Sequence, residues 1–217
     1  MDIPALLHPY IDGLTSAQLG QVSTYLDLLL RWNARTNLTS LRNPEHIVSR
    51  HFGESFFLAA QLFGAGGFQL PITNHQLQIL DVGSGAGFPA IPLKIAYPQI
   101  NLTLVEAHHT KAVFLREVLR ALHLDAEVKN VRAESLLLGS ADLVTLRAVE
   151  KFDSILPIAA RLIRRPTTPH SGRAGLALLV SSTQVSRAQE LLPNFHFRPP
   201  TPLPGSQNRV IQLVEPR

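Results

Sequence analysis

The sequence predicts an α/β fold in which a seven-stranded, mostly parallel sheet is covered on both faces and preceded by an N-terminal helical cap. Three observations carry this. Apolar residues recur at helical spacing through the first third of the chain, short apolar strands then alternate with longer amphipathic segments, and a glycine-rich turn joins the first strand to the helix after it. At 217 residues and 45% hydrophobic content, the chain can bury a core without cross-links.

Taken in order, Leu19, Val22, Leu26, Leu29 and Leu30 mark one amphipathic helix, with Thr15 or Ser16 as its cap. Ile47, Val48, Phe52, Phe56, Ala59 and Phe63 mark a second, running 44–63, with Asn43 as cap and Pro44 in its first turn. Between them lies a polar connection over 32–40. Three glycines within Gly64-Ala65-Gly66-Gly67 end the second helix, so a linker to Pro71 and a division into 1–66 and 67–217 are expected there. Strands follow at 77–82, 101–106, 126–130, 142–147, 175–181 and 210–214, with a weaker one at 195–197. Helices fit between them at 89–97, 110–122, 153–164 and 184–192, an alternation that implies parallel strands and crossover helices. The stretch 165–172, with two prolines, reads as an exposed loop.

The formal charge is +4 but unevenly placed: residues 1–80 carry −1, residues 81–217 carry +5, and residues 161–217 alone carry +6. Sixteen of the twenty cations are arginine, whose planar fork suits phosphate oxygens and guanine edges. A nucleic-acid partner is one reading of that charge, and a solvated basic face is the other. The absence of cysteine excludes a disulfide scaffold, a thiolate metal site, a redox pair and a thiol-linked covalent intermediate. The longest apolar runs, such as Leu26 to Leu30, fall far short of the roughly 20 residues a membrane span needs, so a cytoplasmic protein without a membrane segment is expected.

The sharpest signal is Ile79-Leu80-Asp81-Val82-Gly83-Ser84-Gly85-Ala86-Gly87-Phe88-Pro89, a strand running through glycines into a helix. Glycines here permit positive φ and close approach of a ligand, and the loop is expected to present free N–H groups at the helix N-terminus. The dinucleotide pattern G-x-G-x-x-G fails at Phe88, no G-x-x-x-x-G-K-[ST] sequence exists, and Ser84 lacks the G-x-S-x-G context of a nucleophile elbow. Glu106, nineteen residues after Gly87, ends the second strand, where a carboxylate can accept hydrogen bonds from both ribose hydroxyls. A nucleoside-containing cofactor held by Gly83, Gly85, Gly87 and Glu106 is the natural reading.

These residues resemble the first motif of the class I S-adenosylmethionine-dependent methyltransferases, a Rossmann-like fold. More narrowly the chain is similar to the RsmG family, also called glucose-inhibited division protein B, of bacterial 16S rRNA guanine-N7 methyltransferases. The likeness runs through Trp32-Asn33, Asn37-Leu38-Thr39-Ser40, Arg50-His51, Glu54-Ser55, Asp81 to Leu93, Lys111, Phe114-Leu115, Ala133-Glu134 and Arg147-Ala148. It implies that S-adenosylmethionine is the cofactor, and that the substrate is guanine 527 in the family's rRNA numbering, on naked 16S rRNA or on the 30S subunit. Gly83 and Phe88 then contact the cofactor, Gly85 and Gly87 shape the turn, Ala133 and Glu134 hold the adenine, and Arg147 lies beside cofactor and target base. A monomer without a metal is expected. The family often has Lys-Gly after its fifth strand, where this chain has Ser181-Ser182, and the glycine-rich stretch 64–76 looks like an insertion.

The chemistry agrees with this acceptor. Guanine N7 carries an in-plane lone pair and no proton, so its methylation needs positioning rather than a general base. No Asn/Asp-Pro-Pro-Tyr sequence follows the fourth strand; Arg147 stands there, able to hold guanine O6, a phosphate or the methionine carboxylate, and is the candidate catalytic residue. Asn37, Arg50, His51 and Arg209 are candidates for substrate binding, with Asn33 and Arg35 on the same edge. Arg161, Arg164, Arg165 and Arg173 join Arg209 as phosphate-contact candidates. Trp32 fits the core, and His108-His109 fit a loop without metal-ligand spacing. A nicotinamide-dependent enzyme and a non-catalytic RNA-binding module remain as alternatives.

Overall fold

The strands assemble in the order β3-β2-β1-β4-β5-β8-β6, and the two-residue β7 pairs with β8 beside that path. They are β1 (Gln78–Val82), β2 (Asn101–Val105), β3 (Glu127–Lys129), β4 (Leu143–Arg147), β5 (Gly175–Ser181), β6 (Phe195–Phe197), β7 (Thr201–Pro202) and β8 (Arg209–Pro216). The first five run parallel, and β8 is antiparallel to β5, β6 and β7. The structure, a computed structural model, describes residues 1–64, 77–164 and 174–217. The expected linker and domain boundary, the loop over 165–172, Arg165 and Arg173 therefore lie outside the described residues.

The central strands are buried end to end because helices cover both faces, and their residues alternate between two cores. Ile79, Leu102, Leu104, Leu143 and Leu179 pack under α5 (Ala90–Ala96) and α6 (His109–Ala121). Leu80, Val82, Val144, Leu146 and Leu178 pack under α7 (Phe152–Leu162) and α8 (Ser182–Leu191). The cap adds α1 (Ile3–Leu7), α2 (Ser16–Thr36), α3 (Pro44–Ile47) and α4 (Glu54–Phe63), whose apolar faces join the first core without a break. Thr15, not Ser16, caps α2, in a capping box with Gln18.

Three features differ from the sequence expectation. Helix α1 was invisible because five residues carry too little periodicity. The strand β7 is too short to show alternation. The predicted single helix over 44–63 is instead α3, a π-helical segment at Val48–Gly53, and α4. A π segment inserts an extra residue per turn and rotates the side chains around it, a change that periodicity cannot report. Gly53 ends the segment against the Tyr10 ring, which lies 2.6 Å from where a Cβ would stand, so the close approach requires glycine.

Candidate active site

The strand order reverses between β1 and β4, and open α/β sheets bind ligands at the carboxyl ends of the strands at such a point. A cleft of about 1010 Å³ opens there, large enough for a nucleoside cofactor together with part of an acceptor nucleotide. Its wall includes Gly83, Gly85, Phe88, Glu106, Ala133, Glu134, Arg147, Arg50, His51 and Arg209. Residues predicted from six separate segments thus meet in one place.

On the cleft wall, Glu106 is 7% exposed at the end of β2. Its Oε2 accepts from the Gly85 N–H at 2.8 Å and its Oε1 from the His108 N–H at 2.7 Å, which fixes the carboxylate and leaves further lone pairs for hydroxyl donors. Gly85 sits at φ +55, and a Cβ there would meet nothing nearer than 3.8 Å, so the backbone is open to a ligand. The expectation of free loop N–H groups is corrected for four of them. Gly83 and Ser84 donate to Val105 O, Gly85 to Glu106 and Gly87 to Ser84 O, because the end of β2 runs close enough to supply acceptors. The loop therefore offers shape and an acidic partner. Ala133 and Glu134 lie in a 3-10 turn, Ala133–Ser135, on the same wall.

Gly87 does not line the cleft. It holds φ +87 and packs under Tyr25. Tyr25 donates its hydroxyl to Ala86 O and stacks on Phe88, with centroids 5.2 Å apart, while His51 stacks on the other side of Phe88 at 4.9 Å. Phe88 thus ties the glycine loop to the cap as well as facing the cleft.

At the end of β4, Arg147 is 12% exposed and donates Nη2 to Glu54 Oε2 at 2.9 Å and to Arg50 O at 2.8 Å. Arg209 meets the other oxygen of Glu54. Burial first, and then the charge of Arg50, bring the Arg147 guanidinium down to about 10, so it stays cationic at neutral pH. Burial and the charges of Arg147, Arg50 and Arg209 lower His51 to about 3. The imidazole is therefore neutral, with Nε2 bonded to Thr39 Oγ1 at 2.7 Å. Ala148, at φ 50, turns the chain sharply away just after Arg147.

Other candidates fall elsewhere. Asn37 is exposed, ends α2 in the left-handed conformation and accepts from Arg42 at 3.2 Å. Asn33 is 4% exposed and pins the 37–41 loop through Thr39 N and Leu41 O. Arg35 is exposed in the last turn of α2 and does not line the cleft. Arg161 and Arg164 sit toward the amino ends of the strands, away from the cleft, since α7 runs back along them; Arg164 pairs there with Asp142, which precedes β4. Trp32 packs against Phe114, and His109 bonds Asn130; no metal-binding group of side chains occurs among the described residues. Ser181 caps α8 through Gln184, so the serine pair serves the helix at this wall of the cleft.

Sequence reasoning missed Glu54 on the wall of the cleft, and Tyr25 and Asp81 as buried polar groups behind it. Glu54 had a signal, a lone acid inside the apolar run Phe52 to Phe57. Asp81 is 1% exposed, accepts from Thr145 Oγ1 and has Oδ2 without a hydrogen-bond partner; burial outweighs the Thr145 bond and raises it to about 7.

A glycine turn after β1, an acid at the end of β2 and a reversed last strand define a class I S-adenosylmethionine-dependent methyltransferase. Solved structures share the fold. The magnesium protoporphyrin IX methyltransferase of Synechocystis PCC 6803 superposes with a TM-score of 0.63 at 16% identity, over 94% of this chain and 99% of that one. The ribosomal protein L11 methylase of Lactobacillus delbrueckii subsp. bulgaricus gives 0.58 at 11% identity, over 78% and 79%. In sequence, residues 18–168 match the family GidB: rRNA small subunit methyltransferase G. Ribosomal RNA small subunit methyltransferase G of Chloroflexus aggregans (strain MD-66 / DSM 9485) is 35% identical, over 93% of this chain and 83% of the relative. That of Stenotrophomonas maltophilia (strain K279a) is 40% identical, over 70% and 67%. The chain belongs to this family and is an S-adenosylmethionine-dependent rRNA methyltransferase.

Proposed function

We propose that the chain methylates N7 of a single guanine in 16S rRNA, with Glu106 holding the cofactor ribose and Arg147 holding the acceptor base. The observation that carries this is the placement of Arg147 and Glu106 on the walls of one cleft at the β1/β4 reversal. S-adenosylmethionine supplies an electrophilic methyl group when bound. The fit rests on the fixed Glu106 carboxylate, the open backbone at Gly85 and the volume of the cleft.

The protein's part is to orient and to exclude water. Gly83, Gly85 and Phe88 form the floor under the cofactor, Gly87 sets the turn, and Ala133 backbone with Glu134 border the adenine. Arg147 directs donors toward guanine O6, leaving the N7 lone pair, which needs no deprotonation, free to meet the methyl group. The acceptor side offers Arg50, Arg147, Arg209 and a neutral His51, which suits an acceptor that needs no base. In this reading residues 1–66 form a cap that brings Arg50 and His51 to the catalytic part, 67–217. The reading extends to the 30S subunit or its 16S rRNA as partner, to a monomeric enzyme and to a cytoplasmic location.

Incubation with methyl-labelled S-adenosylmethionine and 30S subunits, naked 16S rRNA or 50S subunits tests it. Label is expected in 16S rRNA alone, at one guanine that becomes sensitive to borohydride and aniline cleavage. Label at an amino group or in 50S rRNA overturns the assignment.

A further inference from the structure

Glu54 is the first residue of α4, directly after the π segment that carries Arg50 and His51. Its side chain is 3% exposed, and its two oxygens meet arginines from two different strands, Arg147 at the end of β4 and Arg209 at the start of β8. Arg50 lines the same cleft, is exposed, and contributes only its carbonyl to Arg147. Two guanidiniums therefore meet one carboxylate, and with Arg50 on the same wall the cluster carries an excess of two positive charges. A carboxylate removed from water persists only when paired, and here the pairing orients two forks at once.

We propose that Glu54 is a positioning residue for methyl transfer: it holds Arg147 and Arg209 on one wall of the cleft, where they receive the guanosine and its phosphate. It also limits how tightly the arginine cluster grips RNA. This rests on the reading of Arg147 as an acceptor-side group.

The test is Glu54→Gln in the full chain, read by cofactor calorimetry, RNA binding across salt, and kcat and KM. The affinity for S-adenosylmethionine is expected to stay within about twofold, because Glu54 lies on the acceptor side. Turnover is expected to fall about tenfold or more. RNA affinity is expected to hold or tighten, with a salt slope steeper by roughly 0.7–0.9 for the cation released from neutralisation. Glu54→Asp restores the charge with a shorter reach, and is expected to return the salt slope but only part of the turnover. Unchanged turnover, or RNA and cofactor affinities that fall together with kcat, overturns the proposal.

Should Glu54→Gln fail to fold, Glu54→Gln/Arg209→Gln lowers the excess charge. It is expected to fold, bind cofactor and remain slow; normal turnover or failure to fold counts against a positioning role. If the wild-type chain methylates none of the RNAs offered, the proposed acceptor is wrong, and the salt slope still decides Glu54, since an unchanged slope removes it from the RNA interface.

Discussion

The Arg147 guanidinium reaches across 2.9 Å from the end of β4 to Glu54 in the first turn of α4, so the catalytic candidate is held by the cap. Arg147→Ala is expected to reduce transfer by about a hundredfold or more, the scale for loss of one aimed donor. The protein stays folded, because Arg209 remains against Glu54. Full activity in the folded variant refutes the role given to Arg147.

Glu106 carries the cofactor prediction. A hydrogen bond to a charged acceptor contributes about 1.5–3 kcal/mol, so Glu106→Gln is expected to weaken S-adenosylmethionine binding by roughly ten- to a hundredfold. Calorimetry reads this directly. Affinity unchanged in that variant removes Glu106 from the ribose.

Gly85 and Gly87 look alike in sequence and differ in the fold. A Cβ on Gly87 would stand 2.5 Å from the Tyr25 hydroxyl and 2.6 Å from Ile91, whereas one on Gly85 would be clear. Left-handed backbone alone costs an alanine about 1–2 kcal/mol, and the clash adds to it. Gly87→Ala is therefore expected to melt several degrees below Gly85→Ala, at about 2–4 °C per kcal/mol for a chain of this size. Equal melting temperatures contradict the packing described.

Asp81 gives a pH prediction. Burial raises its carboxyl from 3.8 to about 7, so between those values the folded state keeps a proton that the unfolded state has lost. Its contribution is complete below pH 3.8 and is lost as pH rises through about 7. Asp81→Asn removes the loss, so its melting temperature should gain on the wild type between pH 4 and pH 8 and track it above. A constant difference across that range rules out the shift.

His51 acts with the opposite sign. Its folded value of about 3 lies below the ordinary 6.5, so stability present above 6.5 is lost as pH falls toward 3. His51→Phe retains a ring against Phe88 and is expected to flatten that acid limb in thermal unfolding; a limb of unchanged depth assigns it to other groups.

Element types followed from periodicity because the buried strands and amphipathic helices of this chain face one environment along their length. Every strand of the main path and the helices between them were legible, with ends displaced by a residue or two. The π turn at Val48–Gly53 escaped because its apolar positions still fit helical spacing, and the Tyr10 ring packed against Gly53 is forty-three residues away in the chain. The arginines divided on the same ground: Arg147 and Arg209 reach the cleft, whereas Arg164 sits at the amino ends of the strands because α7 reverses direction.

The local chain dictated the glycine turn, the acid that follows it at the end of β2, and the absence of any thiol chemistry, since each depends on neighbours in sequence or on composition. The partners of charged groups were settled only by folding. Glu54 between Arg147 and Arg209, and Asp81 buried beneath Thr145, owe their states to strands and helices distant in sequence, because desolvation and Coulomb energy depend on what lies within a few ångströms.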